Sequence, residues 1–509
     1  MNNYFLLFIN NYLFDEKIVL IKSRIIKKIN RISSFIKPSL SKNLLKKLCE
    51  NIEKIYCTDN LTEDILFDML KLQFLDCGKN TNFTDNVLSK LTKLSSLNCG
   101  NNNNFTNNAL SKLTNLQVLE IVSEYNNKFT DEGLSKLTNL RVLEIASEFN
   151  NQFTDNALSK LTSLHKLICA NQNFTDISLS KLTNLTYLNF EDNDNDKFTD
   201  NSLSKLTSLR KLKCGYNQNI SDNSLEKLLN LEVLVVFNDN FTDNALSKLI
   251  KLRVLKCRSN HKFTDNSLSN LTNLRILECN FNKNFTDKSL EKLIKLEKLD
   301  CGSNINFTNK GMSKLINLRV FEYTESYDNK LLQFTDDGLF NSTKLEKLYC
   351  FNDFFTDNLL LKLTELCELY CNENFTDLGV SKLINLQVLK CQNNNNITDK
   401  GVSKLINLQV LDCGFNKNIT DEGVSKLINL RILKCGFNKN FTDEGVSKLT
   451  KLENLDCGKS INITQNSILK LSFLREFHEG YNDNFGEEVY KIMTKKGVDY
   501  HKRDYWWTS

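Results

Sequence analysis

One pattern recurs along most of this chain, and a repeat this short leaves few folds open to it. The copy at Phe285–Asn304 reads Phe-Thr-Asp-Lys-Ser-Leu-Glu-Lys-Leu-Ile-Lys-Leu-Glu-Lys-Leu-Asp-Cys-Gly-Ser-Asn. Eighteen such units follow one another from Phe83 to Asn484, each opening on a Phe or Ile before Thr or Ser, and a weaker one precedes them at Leu61–Asn82. Self-similarity at about 22 residues marks a solenoid, because a unit that small cannot bury its own apolar face and must lean on its neighbours.

The period divides into a strand and a short helix. Leu296, Leu299 and Cys301 end in apolar residues two apart, as on one face of a short parallel strand. Thr286 is a good helix N-cap, and Asp287 suits the positive end of a helix dipole. Leu290 and Leu293 then share one face of a helix of about two turns. Asn304 falls where the chain leaves the strand, and its amide can bond the turn and stack from unit to unit.

At this point the chain resembles the leucine-rich repeat family. The matching residues are Leu-x-x-Leu-x-Cys-x-x-Asn, for example Leu408, Leu411, Cys413 and Asn416. The stretches Thr420–Leu427 and Thr442–Leu449 look like the cysteine-containing repeats found behind F-box domains and like related repeats of bacterial effectors. They depart from that class in one respect: cysteine takes the third strand-leucine slot while Asn keeps its own. The resemblance implies an α/β solenoid, curved, with a parallel sheet on the concave face, short helices on the convex face and helical caps. It covers residues 61–484, about 19 units. The asparagine-rich composition is like that of proteins from AT-rich genomes of protists or large DNA viruses.

Thirteen cysteines occupy the strand slot: Cys77, Cys99, Cys169, Cys214, Cys257, Cys279, Cys301, Cys350, Cys371, Cys391, Cys413, Cys435 and Cys457. Ile121, Ile145, Phe190, Val236 and Tyr323 fill it elsewhere, so the thiol reads as a small buried hydrophobe and not as a redox or metal array. Cys367 and Cys371 have no second pair or nearby His to complete a zinc set. The four histidines, His165, His261, His478 and His501, have no carboxylate or nucleophile at a repeated offset, and phosphate-loop and hydrolase motifs are absent. No catalytic, cofactor or metal site is therefore expected, and the chain is not expected to be an enzyme. Asn-x-Thr sequons recur at unit junctions, where the Thr is better explained as a cap.

The best function is then a non-enzymatic scaffold that binds a partner protein on the concave face. The residue before each cysteine slot stands in a column there. Lys390, Asp412, Lys434 and Asp456 alternate in sign, whereas Glu278, Asp300 and Glu322 form a like-charge run that needs flanking bases such as Arg275 and Arg319, or a basic partner. Tyr349 and Tyr370 are neighbours in this column with Phe351 close by, and Val235 with Phe237 makes a second apolar spot beside Arg258. Exposed Tyr and Arg are favoured contact residues, so these six are the candidate partner site. The long unit at 307–333, with its extra Thr324–Gln333, abuts the tyrosines.

Residues 1–60 do not repeat. They carry isoleucines at helical spacing (Ile18, Ile21, Ile25, Ile29) among basic residues; residues 1–50 hold ten Lys/Arg against three Asp/Glu, net +7, so the remainder of a chain of net +5 sums to −2. A polyanion-binding protein spreads its basic residues over a surface, so nucleic acid is not expected. A helical cap is the first reading of 1–60. A divergent F-box-like module, making the chain a substrate receptor of a ubiquitin ligase, is the alternative, and a basic helix on an anionic membrane is a third. Residues 485–509, with Trp506 and Trp507, read as a C-terminal cap or tail. With no apolar run near the start longer than Tyr4–Ile9 and no leader pattern, a monomer in the cytoplasm, or in the host cytoplasm if viral, is expected.

Overall fold

A computed structural model of the chain describes residues 52–57, 61, 63–78, 80–121, 128–145, 152–169, 173–191, 197–323, 334–350, 354–371, 373–460, 462–480, 482 and 484–502. The basic segment 1–50 with its three competing readings, the insertion 324–333, Phe351 and the Trp506-Trp507 pair lie outside the described residues.

Two compact units divide at Lys251/Leu252. In the first, described strands run from Lys54–Tyr56 to Val233–Val236, each pairing parallel with the next in the chain. In the second they run the same way from Val254–Lys256 to Asp499–Lys502. Each unit is a solenoid of strand–helix repeats. Strands extend past the repeat as read from sequence, in the first unit Lys54–Tyr56 before Leu61 and in the second Asp499–Lys502 after Asn484. No described helix is long and apolar enough to cross a membrane.

Register is set by the leucines. Leu389, Leu411, Leu433 and Leu455 stand directly opposite one another and are fully buried, while residues on either side face outward. The helices are shorter than the spacing predicts. Asp421–Val424 is a single turn, and after Ser425 donates to the Asp421 carbonyl the chain tightens into i→i+3 bonds, Leu427 to Val424 and Leu430 to Leu427, each 2.9 Å. Three leucine-slot residues must reach the core before the next strand, and the tighter winding delivers them in fewer residues than a second α-turn would.

Thr420 caps its own helix, its hydroxyl accepting from the Glu422 N–H at 3.2 Å. The Asp beside it does more than oppose a dipole. Asp421 reaches the next unit, where Oδ1 accepts the Thr442 N–H at 2.9 Å and Oδ2 accepts the Thr442 hydroxyl at 2.5 Å. The same pair of bonds joins Asp443 to Thr464, Asp399 to Thr420, and, in the first unit, Asp200 to Ser221. The carboxylates lie so close under the following helix that a Cβ at Gly445 would meet Asp421 Oδ1 at 2.1 Å. Burial alone would raise the carboxyls of Asp155, Asp200 and Asp443, but hydrogen bonds from Ser, Thr and backbone N–H groups outweigh it and hold all three below the ordinary value.

Asparagines make a second ladder. Asn282 Nδ2 donates to the Asn260 carbonyl of the preceding unit at 2.8 Å, and its Oδ1 accepts the Asn284 N–H at 2.9 Å. Both ends of a buried amide are satisfied, as burial requires. All thirteen slot cysteines are buried free thiols. Burial pushes the Cys169 thiol up to about 12 and raises the others well above the ordinary thiol value too.

This architecture can be tested at the aspartate and at the cysteine slot. Asn already fills the Asp slot at Asn107, which accepts the Thr130 N–H at 3.0 Å and donates to its hydroxyl. Asp443→Asn should therefore fold, with about 1 kcal/mol lost at pH 7, the difference between a charged and a neutral acceptor. Because the Asp443 carboxyl is held low, its contribution is full above the unfolded value of about 4 and is lost as pH falls through the folded one. Urea melts of the two proteins should accordingly converge as pH drops below about 4. Separately, a thiol-reactive disulfide reagent read by mass spectrometry should label the thirteen slot cysteines only after unfolding.

Candidate binding surface

The second unit carries the tyrosine pair. Strands Lys347–Cys350, Glu368–Tyr370 and Val388–Lys390 place Tyr349, Tyr370 and Lys390 side by side on the outward face. The tyrosine rings meet edge to face with centroids 4.2 Å apart, and the Lys390 ammonium sits 4.2 Å from the Tyr370 centroid. Tyr349 donates its hydroxyl to Glu368, whose other oxygen takes the Lys347 ammonium. Burial and then the Glu368 hydrogen bond push the Tyr349 phenol well above its usual range. Burial would raise the Glu368 carboxyl, but the bonds from Lys347 and Tyr349 outweigh it and keep it low. The result is a half-buried aromatic pair whose rotamers are fixed by an ionised brace. Phe351 is outside the described residues.

The second expected spot is not an exposed patch. Val235 is only 1 % exposed, although its register places it in the outward column opposite Lys213. Phe237 is half-buried, its ring 5.3 Å from that of the exposed Tyr216. Arg258 belongs to the second unit and faces its acids, 3.6 Å from Asp300 and 3.9 Å from Glu278.

The like-charge run is neutralised inside the protein, but by other bases than Arg275 and Arg319. Lys298 lies 3.2 Å from Glu278 and 2.9 Å from Glu322, and Lys256 is 3.0 Å from Glu278. Arg275 and Arg319 instead pair with Glu297 and Glu346. Burial would raise the Glu278 carboxyl, yet the lysines hold it low, whereas burial leaves Asp300 raised. The alternating column is in register, but it is not a chain of ion pairs: Lys390 covers Tyr370, and Asp412 accepts from Gln392 at 2.7 Å.

Three features escaped the sequence reading. Phe415 and Phe437 stack at 4.4 Å and 11° on the turn beyond the strands, both with left-handed backbones. Their signal is the Gly-Phe-Asn that follows Cys413 and Cys435. Ile384, Ile406 and Ile428 are each more than half exposed, in a slot that elsewhere holds Thr. His478 does have a carboxylate partner, Glu476, at 2.8 Å, two residues earlier on the same strand face. Beside Asn385, Gln387, Asn407 and Arg431 a groove of about 520 Å³ opens, with Cys367 in its wall. Burial first, then Glu346 and Glu365, push that thiol up, so it is not poised as a nucleophile. Cys371 instead faces the core.

A family model described as Leucine Rich repeat matches residues 404–428. No curated protein sequence matches the chain. Among solved structures, the chain is similar to TLR13 in a complex with ssRNA13, at 19% identity and a TM-score of 0.51, covering 81% of this chain and 67% of that one. It is also similar to an internalin (inlF) from Listeria monocytogenes strain 4b F2365, at 24% identity and a TM-score of 0.44, covering 59% of this chain and 88% of that one.

Proposed function

We propose that the chain, a leucine-rich repeat protein, works as a non-enzymatic scaffold that grips a partner protein on the open face of its sheet. The observation that carries this reading is the Tyr349–Tyr370 pair. Its rings pack edge to face, covered on one side by Lys390 and braced from below by Glu368. Side chains already held in one rotamer lose little entropy on contact, and aromatic anchors of that kind dominate interface energies.

Charge favours a protein over a polyanion. The chain beyond residue 50 sums to −2, and of the bases near the tyrosines Lys347 pairs with Glu368 and Lys298 with Glu278 and Glu322, while Lys390 lies on the Tyr370 ring. The RNA of the TLR13 complex belongs to that protein, and a likeness at 19% identity speaks for the fold alone.

The test is a comparison of full-length wild type with the Tyr349→Ala/Tyr370→Ala double variant as baits in a native-cell extract. A partner captured by the wild type should bind the variant more weakly by more than about 1 kcal/mol in a purified titration. Equal affinity, with both proteins melting alike, would remove the tyrosine pair as the contact site.

A further inference from the structure

The last two strands of the second unit bring together four side chains, of which Glu476 also takes a hydrogen bond from Asn454 through its other oxygen, Oε2. Glu476–Gly480 and Asp499–Lys502 pair parallel, with Glu476 opposite Asp499 and His478 opposite His501. Residues two apart on a strand share a face, so two imidazoles and two carboxylates stand on one side of one strand pair. The rings are stacked, centroids 4.3 Å apart and planes 7° from parallel. The Nε2 atoms of His478 and His501 turn toward the same oxygen, Glu476 Oε1, at 2.8 and 3.9 Å, and His501 Nε2 is 3.5 Å from Asp499 Oδ1. One donor atom each from Glu476, His478 and His501 lies within 4.8 Å of the others.

We propose that Glu476, His478 and His501, with Asp499 at its margin, form a binding site for a divalent transition-metal ion of the zinc class. Imidazole nitrogens with a carboxylate suit zinc and its neighbours, whereas calcium and magnesium call for oxygen ligands. Around a tetrahedral zinc with bonds of about 2.0–2.2 Å, donor atoms stand roughly 3.3 Å apart. Side-chain rotations of half-exposed residues span the difference from the spacing seen. The backbone needs no change, because the strand that carries His501 is already anchored. Tyr500, on its opposite face, packs its ring 5.2 Å from Phe477 and 5.3 Å from Tyr490, and gives its hydroxyl to the buried Glu479. Ligands on anchored strands are the kind of scaffold a metal site needs. A bound ion would pin the final strand to its neighbour, since binding to the folded state alone adds to stability.

The experiment uses the full chain, stripped of metal with a chelator, and ZnCl2 as the probe. Calorimetric titration should give one site per chain, with the melting temperature rising on addition, and no such response to MgCl2 or CaCl2. The His478→Gln/His501→Gln variant should bind Zn2+ more weakly by about tenfold or more. Co2+ gives a check on the unmodified protein that does not depend on how the variant folds. Its visible spectrum should show a site of nitrogen and oxygen ligands, without the intense near-ultraviolet charge-transfer band of thiolate. Absence of Zn2+ binding, binding unchanged in a variant that melts like the wild type, or a thiolate band would each overturn the proposal.

Discussion

The structure rests on a carboxylate that belongs to one repeat and works in the next. Asp421, Asp443 and their counterparts each take two hydrogen bonds from the cap residue of the following unit. That residue's hydroxyl, meanwhile, accepts from its own helix. One Thr–Asp pair thus ends a helix and joins two repeats. Charged acceptors make such bonds stronger than neutral ones, and none of them needs a long helix. This is why a helix of one turn, far too short to be stable alone, can be repeated along the chain. The leucines supply the burial, and the aspartates fix how near the helices stand.

The spacing that the aspartates impose explains the residues around them. The third helical position touches the Asp of the preceding unit, so it holds Gly, Ala or Ser in most units: Gly311, Gly401 and Gly423 in the second unit, Ala157 and Ser202 in the first. Some of the serines repay the close approach with another bond, since the Ser178 and Ser202 hydroxyls donate to Asp155 and Asp176. On the other side of the repeat buried asparagines reach back to carbonyls of the preceding repeat, as Asn282 does to Asn260 and Asn482 to Ser460. Helix edge and turn edge are therefore tied separately, and register between units does not depend on the three-residue strands alone.

The repeat made the fold legible because the same constraint is written many times. Leucine spacing, the Thr cap, the Asn turn and the buried cysteine slot can each be read from any one unit and checked against the others. What the spacing could not give was the address of a polar side chain. Asp287 reads equally well as a dipole partner of its own helix, yet it bonds Thr308 one unit away. Arg275 reads as a neutraliser of the Glu278 run, yet it extends to Glu297 while Lys298 does the neutralising. Val235 sits in an outward column and is covered all the same. His501 could not be aligned with His478 at all, because the tail that carries it breaks the period and only the strand pairing supplies the register. Alternation predicts which face a residue takes; the lengths and charges of its neighbours decide what it touches.

The same distinction separates the two aromatic pairs of the second unit. The slot held by Phe415 and Phe437, two residues after the cysteine, has a left-handed backbone, φ 60 and 63, as it does where Ser259, Ser303 and Asn393 fill it. Each of these rings has a partner inside the protein, the other ring of the stack. Tyr349 and Tyr370 present a different case. Their residues lie in regular strands, in a column where Lys, Asp and Glu are the usual occupants. Neither strand pairing nor core packing demands two large rings at that point, because Lys390 and Asp412 hold the same positions in neighbouring strands without them. The fold does not require that apolar surface, and this is why the proposed contact is placed there.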